Sequence, residues 1–173
     1  MNKIYAGIGS RACPPEKLHE CMLYAMKLAI LGYTLRSGGA EGCDQGFEVG
    51  CTLNYGQKEI YLPWKDFNKN KSPLYDVCDD ALKMAERFHP NWKRLTEPVR
   101  KLMARNCYQV MGKDLKTPVD FIVCWTENAE VKGGTAQALR IAQEYNIRVY
   151  NIADPRQQNG LDSFILWSSV ENE

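Results

Sequence analysis

Three short segments carry residues suited to gripping a phosphorylated ligand: Gly7-Ile8-Gly9-Ser10-Arg11, Ser37-Gly38-Gly39-Ala40-Glu41-Gly42 and Lys132-Gly133-Gly134-Thr135. Glycine lets the backbone approach a ligand closely, and a helix beginning just beyond it offers unpaired N–H groups to an anion. Ser10 and Arg11 put a hydroxyl and a guanidinium beside the first turn, both good partners for phosphate oxygens. Lys132 adds a point charge beside the third. The residues that could move protons or stabilise a sugar cation are carboxylates. Asp44 and Glu48 stand four apart, on one face of a helix, and Glu127 and Glu130 sit in the loop before Lys132. For Asp44 two readings stand side by side, holding the glycine turn by hydrogen bonds or touching a ribose. Glu48 reads better as a structural or solvated acid.

What is missing narrows the ligand. Gly7-Ile8-Gly9-Ser10-Arg11-Ala12 fits G-x-G-x-x-G/A only nominally, because Cys13-Pro14-Pro15 delays the helix that should start inside the motif. The second strand runs into Arg36 and Ser37 rather than an acid for a ribose 2′-hydroxyl, which disfavours an NAD dehydrogenase. No G-x-x-x-x-G-K-[ST] run occurs, so P-loop hydrolysis of ATP is not expected. No cofactor is expected. Neither is a metal: the seven cysteines include no C-x-x-C pair, and their odd number argues against a disulfide framework. They read as reduced thiols of a cytoplasmic protein.

The elements that must position these residues follow from apolar patterning. Short apolar runs alternate with longer periodic ones, the mark of a parallel sheet with crossover helices. Strands are expected at 3–9, 33–36, 59–63, 119–125 and 147–152. Pro14-Pro15 opens a first helix that Gly32 stops. Further helices are expected from about 41 to 53, 73 to 87, 96 to 111 with Thr96 as N-cap, from Thr135 to near Tyr145, and weakly around 161–166. The fold class is therefore α/β, a Rossmann-like three-layer sandwich with a mainly parallel central sheet. In such a sheet all three glycine turns share the carboxyl edge. Neither a linker nor a repeat divides residues 1–173, so one domain is expected.

Composition sets the outer limits. A chain of 173 residues with 45% hydrophobic and 25% charged residues can bury about 68–70% of its unfolded surface. Lys and Arg number 22 against 21 Asp and Glu, a net charge of +1 that argues against holding a polyanion by bulk charge. The longest apolar stretch, 121–125, is too short for a bilayer, and no signal-peptide core forms before Arg11, so a cytoplasmic protein without a membrane partner is expected.

The order Gly-Ile-Gly-Ser-Arg, then Ser-Gly-Gly-Ala-Glu-Gly-Cys-Asp, then Gly-Gly-Thr after a buried strand resembles the SLOG superfamily over roughly 4–152. Those are Rossmann-like domains that include the DprA DNA-processing proteins and the LOG phosphoribohydrolases. The resemblance implies a nucleotide or related ligand along the glycine edge, and a homo-oligomer. Met103-Ala104-Arg105-Asn106 is similar to the Met-x-x-Arg-Lys run of LOG enzymes. That implies Arg105, with Asn106 beside it, on a phosphate or ribose, a task for which a planar guanidinium is fitted. Where LOG enzymes place glutamates after Gly-Thr, this chain has Gln137 and Ala138. A glutamine supplies no carboxylate base, though Gln137 can hydrogen-bond a base or ribose.

Three functions are therefore expected in descending order. The first is binding of a nucleotide or nucleotide-derived ligand through Gly7, Gly9, Ser10, Arg11, Ser37, Gly38, Gly39, Asp44, Arg105, Asn106, Lys132, Gly133, Gly134, Thr135 and Gln137. The second is a nucleotide N-glycosidase or deoxyribosyltransferase using Asp44, Glu48, Glu127 or Glu130. The third is DprA-like binding of single-stranded DNA, for which Lys65, Lys69, Lys71, Arg94, Arg100 and Lys101 are the cations and Asp66, Asp76, Asp79 and Asp80 the diluting acids.

Overall fold

A computed structural model describes residues 3–170. Five strands, β1 (Ile4–Gly9), β2 (Thr34–Ser37), β3 (Lys58–Ile60), β4 (Phe121–Trp125) and β5 (Arg148–Asn151), form one sheet in the order β3-β2-β1-β4-β5. Every pairing is parallel, with Tyr5 opposite Leu35 on one side and Phe121 on the other. The chain builds outward from β1 to β3, then crosses back to lay β4 on the other side of β1. The carboxyl ends of β1 and β4 therefore flank the switch point, where crossovers leaving in opposite directions open a crevice.

Six helices cover the two faces: α1 (Pro15–Ile30), α2 (Cys43–Leu53), α3 (Asp79–Phe88), α4 (Glu97–Met111), α5 (Thr135–Glu144) and α6 (Pro155–Val170). Alternation along the strands sends Tyr5, Leu35, Phe121, Val123 and Tyr150 to one face, where α1, α2 and α6 close over them. Ala6, Ile8, Ile122 and Cys124 meet α3, α4 and α5 on the other. The first layer is aromatic, with Phe121 against Tyr5, Tyr33, Tyr150 and Phe164 at centroid separations of 5.2–5.9 Å.

Two elements differ from the sequence reading. The helix expected from residue 73 starts at Asp79, because the Leu62 N–H donates to the Leu74 carbonyl at 2.8 Å and holds that segment extended beside the sheet. The C-terminal helix, expected only around 161–166, runs from Pro155 to Val170. Its first turn is fixed by Asp154, whose carboxylate accepts the Arg156 N–H at 2.9 Å, and Leu161 and Ile165 anchor it in the core. At α4, Thr96 stands in the N-cap position with extended backbone, but its hydroxyl makes no capping bond. No helix of the described residues is long and apolar enough to cross a membrane.

Candidate functional site

At the switch point lies a cavity of about 650 Å³, walled by the ends of β1 and β4, by α4, and by the turn that opens α5. Gly9, Ser10, Arg11 and Ala12 form one side, Gly133, Gly134 and Thr135 the other, and Asp44, Arg105, Asn106 and Gln109 the floor. The sequence reading thus places most of its ligand residues around one space.

Asp44, first-turn residue of α2, ties the floor together. Its Oδ1 accepts the Gly9 N–H at 3.2 Å and its Oδ2 the Gly38 N–H at 3.1 Å, so one carboxylate joins the first and second glycine turns. The Ala40 N–H also serves it. From across the sheet's edge Arg105 Nη1 reaches Oδ2 at 3.5 Å, and both side chains are about 5% exposed. Burial pushes the Asp44 carboxyl up, against the lowering effect of Arg105 and the three N–H groups. Burial likewise lowers Arg105, with the nearby Arg11 charge acting in the same sense. Of the two readings of Asp44, the geometry realises the brace: neither carboxylate oxygen is left without a donor.

Gln109 was not foreseen as a member of this set. With its amide oriented as its neighbours require, the oxygen accepts from Arg105 Nη1 at 3.3 Å and from the Gly38 N–H at 2.9 Å, while the nitrogen donates to Asn106 Oδ1 at 2.9 Å. Asn106 in turn donates to the Gly134 carbonyl at 2.9 Å and so ties α4 to the third turn. Spacing could have flagged Gln109, which lies one helical turn beyond Arg105 on the same face of α4. Arg105 Nε is buried without a partner.

Arg11 is exposed at the mouth and enters no ion pair among the described residues, whereas Lys132 is bound to Glu130 at 2.9 Å and Glu127 at 3.3 Å. The expected point charge at Lys132 is therefore neutralised locally, and the two acids are engaged by it. Glu127 reaches the cavity rim; Glu130 does not line it. No carboxylate on the wall lacks a cationic or N–H partner.

The remaining expected residues lie elsewhere. Gly7 is packed beneath Phe47 and Leu35, and the Ser37 hydroxyl donates to the Gly7 carbonyl at 2.7 Å inside the sheet. Gly39 and Glu48 face a neighbouring cavity, where Glu48 pairs with Lys58 at 3.0 Å and accepts from Asn70 at 2.9 Å. Gln137 is fully buried away from the cavity: its amide nitrogen donates to the Ala85 carbonyl at 2.8 Å and its oxygen accepts from Arg140 at 3.3 Å.

No protein-family model matches the sequence, and no curated protein matches it. Among solved structures the chain is similar in fold to DNA processing protein A of Helicobacter pylori, described for its single-stranded DNA binding mode, with a TM-score of 0.54 and 16% identity over 86% of this chain and 64% of that one. It is similar as well to DNA processing protein A (DprA) of Streptococcus pneumoniae, with a TM-score of 0.53 and 16% identity over 87% of this chain and 50% of that one. The chain thus spans about half to two thirds of these neighbours' length. What it shares with them is the Rossmann-like fold.

Proposed function

We propose that the protein is a SLOG-type binder of a nucleotide or nucleotide-derived ligand, with the ligand's phosphate at the mouth of the switch-point cavity. The observation that carries this reading is the convergence of Arg11 and Arg105 on one cavity. Two guanidiniums face the same space; of the two carboxylates that line it, Asp44 is engaged by three N–H groups and Arg105, and Glu127 by Lys132. The surplus is positive, local and adjacent to the opening turn of α5, a helix end that favours anions. With Asp44 offsetting Arg105, the uncompensated charge is the single guanidinium of Arg11, which suffices for a local anion site in a chain of net charge +1. The adjoining floor of Asn106 and Gln109 offers hydrogen-bonding amides to a ribose or base.

A second reading, single-stranded DNA, is favoured by the fold neighbour described for that binding mode. A phosphodiester would use the same arginines. The volume of about 650 Å³ suits a single nucleotide, and the outer cations are diluted: Lys71 is paired with Asp66 at 2.9 Å and Lys83 with Asp80 at 3.4 Å. The glycosidase reading lacks a free carboxylate on the wall and ranks below both.

Calorimetric titration of the full chain with a panel of nucleoside 5′-monophosphates tests the proposal, with chromatography of each mixture for free base. Saturable binding without base release is the expected result. A panel with no heat and no thermal shift overturns it. Binding confined to oligonucleotides, with log K falling by about 0.7 per phosphate contact against log salt, would replace it with the second reading.

A further inference from the structure

We propose that Cys13, Cys21 and Cys43 form a site for one thiophilic closed-shell cation of the Zn(II) or Cu(I) kind, held by three thiolates. Their Sγ atoms all lie within 4.8 Å of one another, although they come from the turn after β1, the middle of α1 and the first residue of α2. Metal–sulfur bonds of about 2.3 Å place three sulfurs about 3.8–4.0 Å apart, so rotamer adjustments of less than about 1 Å close the set. Sequence spacing hides the cluster, because no two of its members share a short motif.

The surroundings suit a cation. Cys21 and Cys43 are wholly buried against the apolar layer that holds Phe47 and Leu28, while half-buried Cys13 covers them from outside. One side is therefore closed and dry, and the other opens to solvent through Cys13, leaving a fourth position for water or an exogenous ligand. Cys43 opens the 11-residue helix α2, so its backbone is fixed by that helix and its sulfur is held against Cys21. Glu16 and Glu20 act electrostatically on Cys13 from α1 and add negative potential at the open side. All three donors are sulfur, a set that selects soft metals over magnesium or calcium. On binding, the cation replaces the thiol protons, which leave to solvent, and no electron is transferred.

The site touches the nucleotide edge without depending on it. Cys43 Sγ donates to the Trp125 carbonyl at 3.8 Å, and that carbonyl also accepts the Ser10 N–H at 3.0 Å. A Cβ on Gly9 would meet Cys43 Sγ at 2.7 Å, so the sulfur is packed directly under the first turn.

The reduced full chain, titrated anaerobically with Cd(II), provides the test. Expected are a sulfur-to-metal charge-transfer absorption that saturates at one equivalent, and one cadmium per chain by native mass spectrometry. Cys13→Ser, a change at a half-buried loop position, should weaken cadmium binding about tenfold or more with the circular dichroism of the fold retained. Cys78→Ser, which removes the exposed thiol outside the cluster, should leave the titration unchanged. Saturation without charge transfer, a titration indifferent to Cys13→Ser, or one abolished by Cys78→Ser would each overturn the assignment.

Discussion

The guanidinium of Arg105 fills the space in which a side chain on Gly38 would begin: a Cβ there would stand 1.2 Å from Nη1. The glycine in the second turn is thus required by an arginine on α4, 67 residues along the chain. Gly38→Ala must expel Arg105 from Asp44 or displace the turn, and should cost about 1–3 kcal/mol in denaturant unfolding, the range for overpacked cores. The diagnostic is non-additivity. Adding Gly38→Ala to Arg105→Ala should cost less than adding it to the native chain, since the guanidinium clash is gone and only the end of the flexible Gln109 side chain has to give. Equal costs in both backgrounds would refute the relationship.

Arg105→Ala alone strips a buried carboxylate of its cation. Removal of one member of such a pair typically costs about 3–5 kcal/mol. Loss of ligand affinity in this variant would consequently mix binding with folding, which makes Arg105 a poor probe of the site despite its place on the wall.

Arg11 is the clean probe. It is exposed and unpaired among the described residues, so Arg11→Ala should move stability by no more than about 0.5 kcal/mol. A charge-assisted bond to phosphate is worth about 1.5–3 kcal/mol, which predicts monophosphate affinity down by about tenfold to a hundredfold in calorimetry. Lys132→Ala should change affinity far less, because Glu127 and Glu130 already hold that ammonium. The reverse ranking would move the phosphate to the third turn.

Much of this arrangement was legible in the chain because it follows from local rules. Short apolar runs and terminal glycines at Gly9, Ser37-Gly38-Gly39 and Gly133-Gly134 locate the strands and their glycine turns, and a parallel sheet brings the strand ends to one edge. What escaped is long-range partnership. Asp44 and Arg105 are 61 residues apart, and nothing in either neighbourhood signals the other. The neutralisation of Lys132 depended on how one loop folds back, and the convergence of Cys13, Cys21 and Cys43 on how α1 packs against α2. The late start of the helix expected from 73 came from a strand-side contact of Leu74, a tertiary override of local propensity.

Gln137 separates motif position from ligand contact. It stands where the resemblance implies a site residue, yet its amide nitrogen joins α5 to α3 through the Ala85 carbonyl at 2.8 Å. Gln137→Ala should lower stability by about 1–3 kcal/mol, the cost of an orphaned buried bond, while nucleotide affinity stays within twofold of native. A drop in affinity without a drop in stability would return Gln137 to the site.

Cys78 should be an unusually reactive surface thiol, and the reason is testable by pH. It is exposed at the N-cap of α3, and the Tyr108 hydroxyl donates to its sulfur at 3.2 Å. That bond, helped by the Asp80 and Ala81 N–H groups, holds the thiol below its ordinary value despite the nearby Asp80 charge. Tyr108 itself is pushed up to about 12, chiefly by burial, so it remains a neutral donor across the whole range in which a thiol ionises. The sign follows directly. A lowered value enlarges the thiolate fraction at neutral pH, so the midpoint of Cys78 alkylation should fall below that of a free cysteine peptide. Tyr108→Phe removes the donor and keeps the ring against Tyr61, and should shift that midpoint back upward with slower labelling at pH 7. Peptide-resolved mass spectrometry of the alkylated chain distinguishes Cys78 from the other thiols. A profile unmoved by Tyr108→Phe would assign the reactivity to the helix end alone.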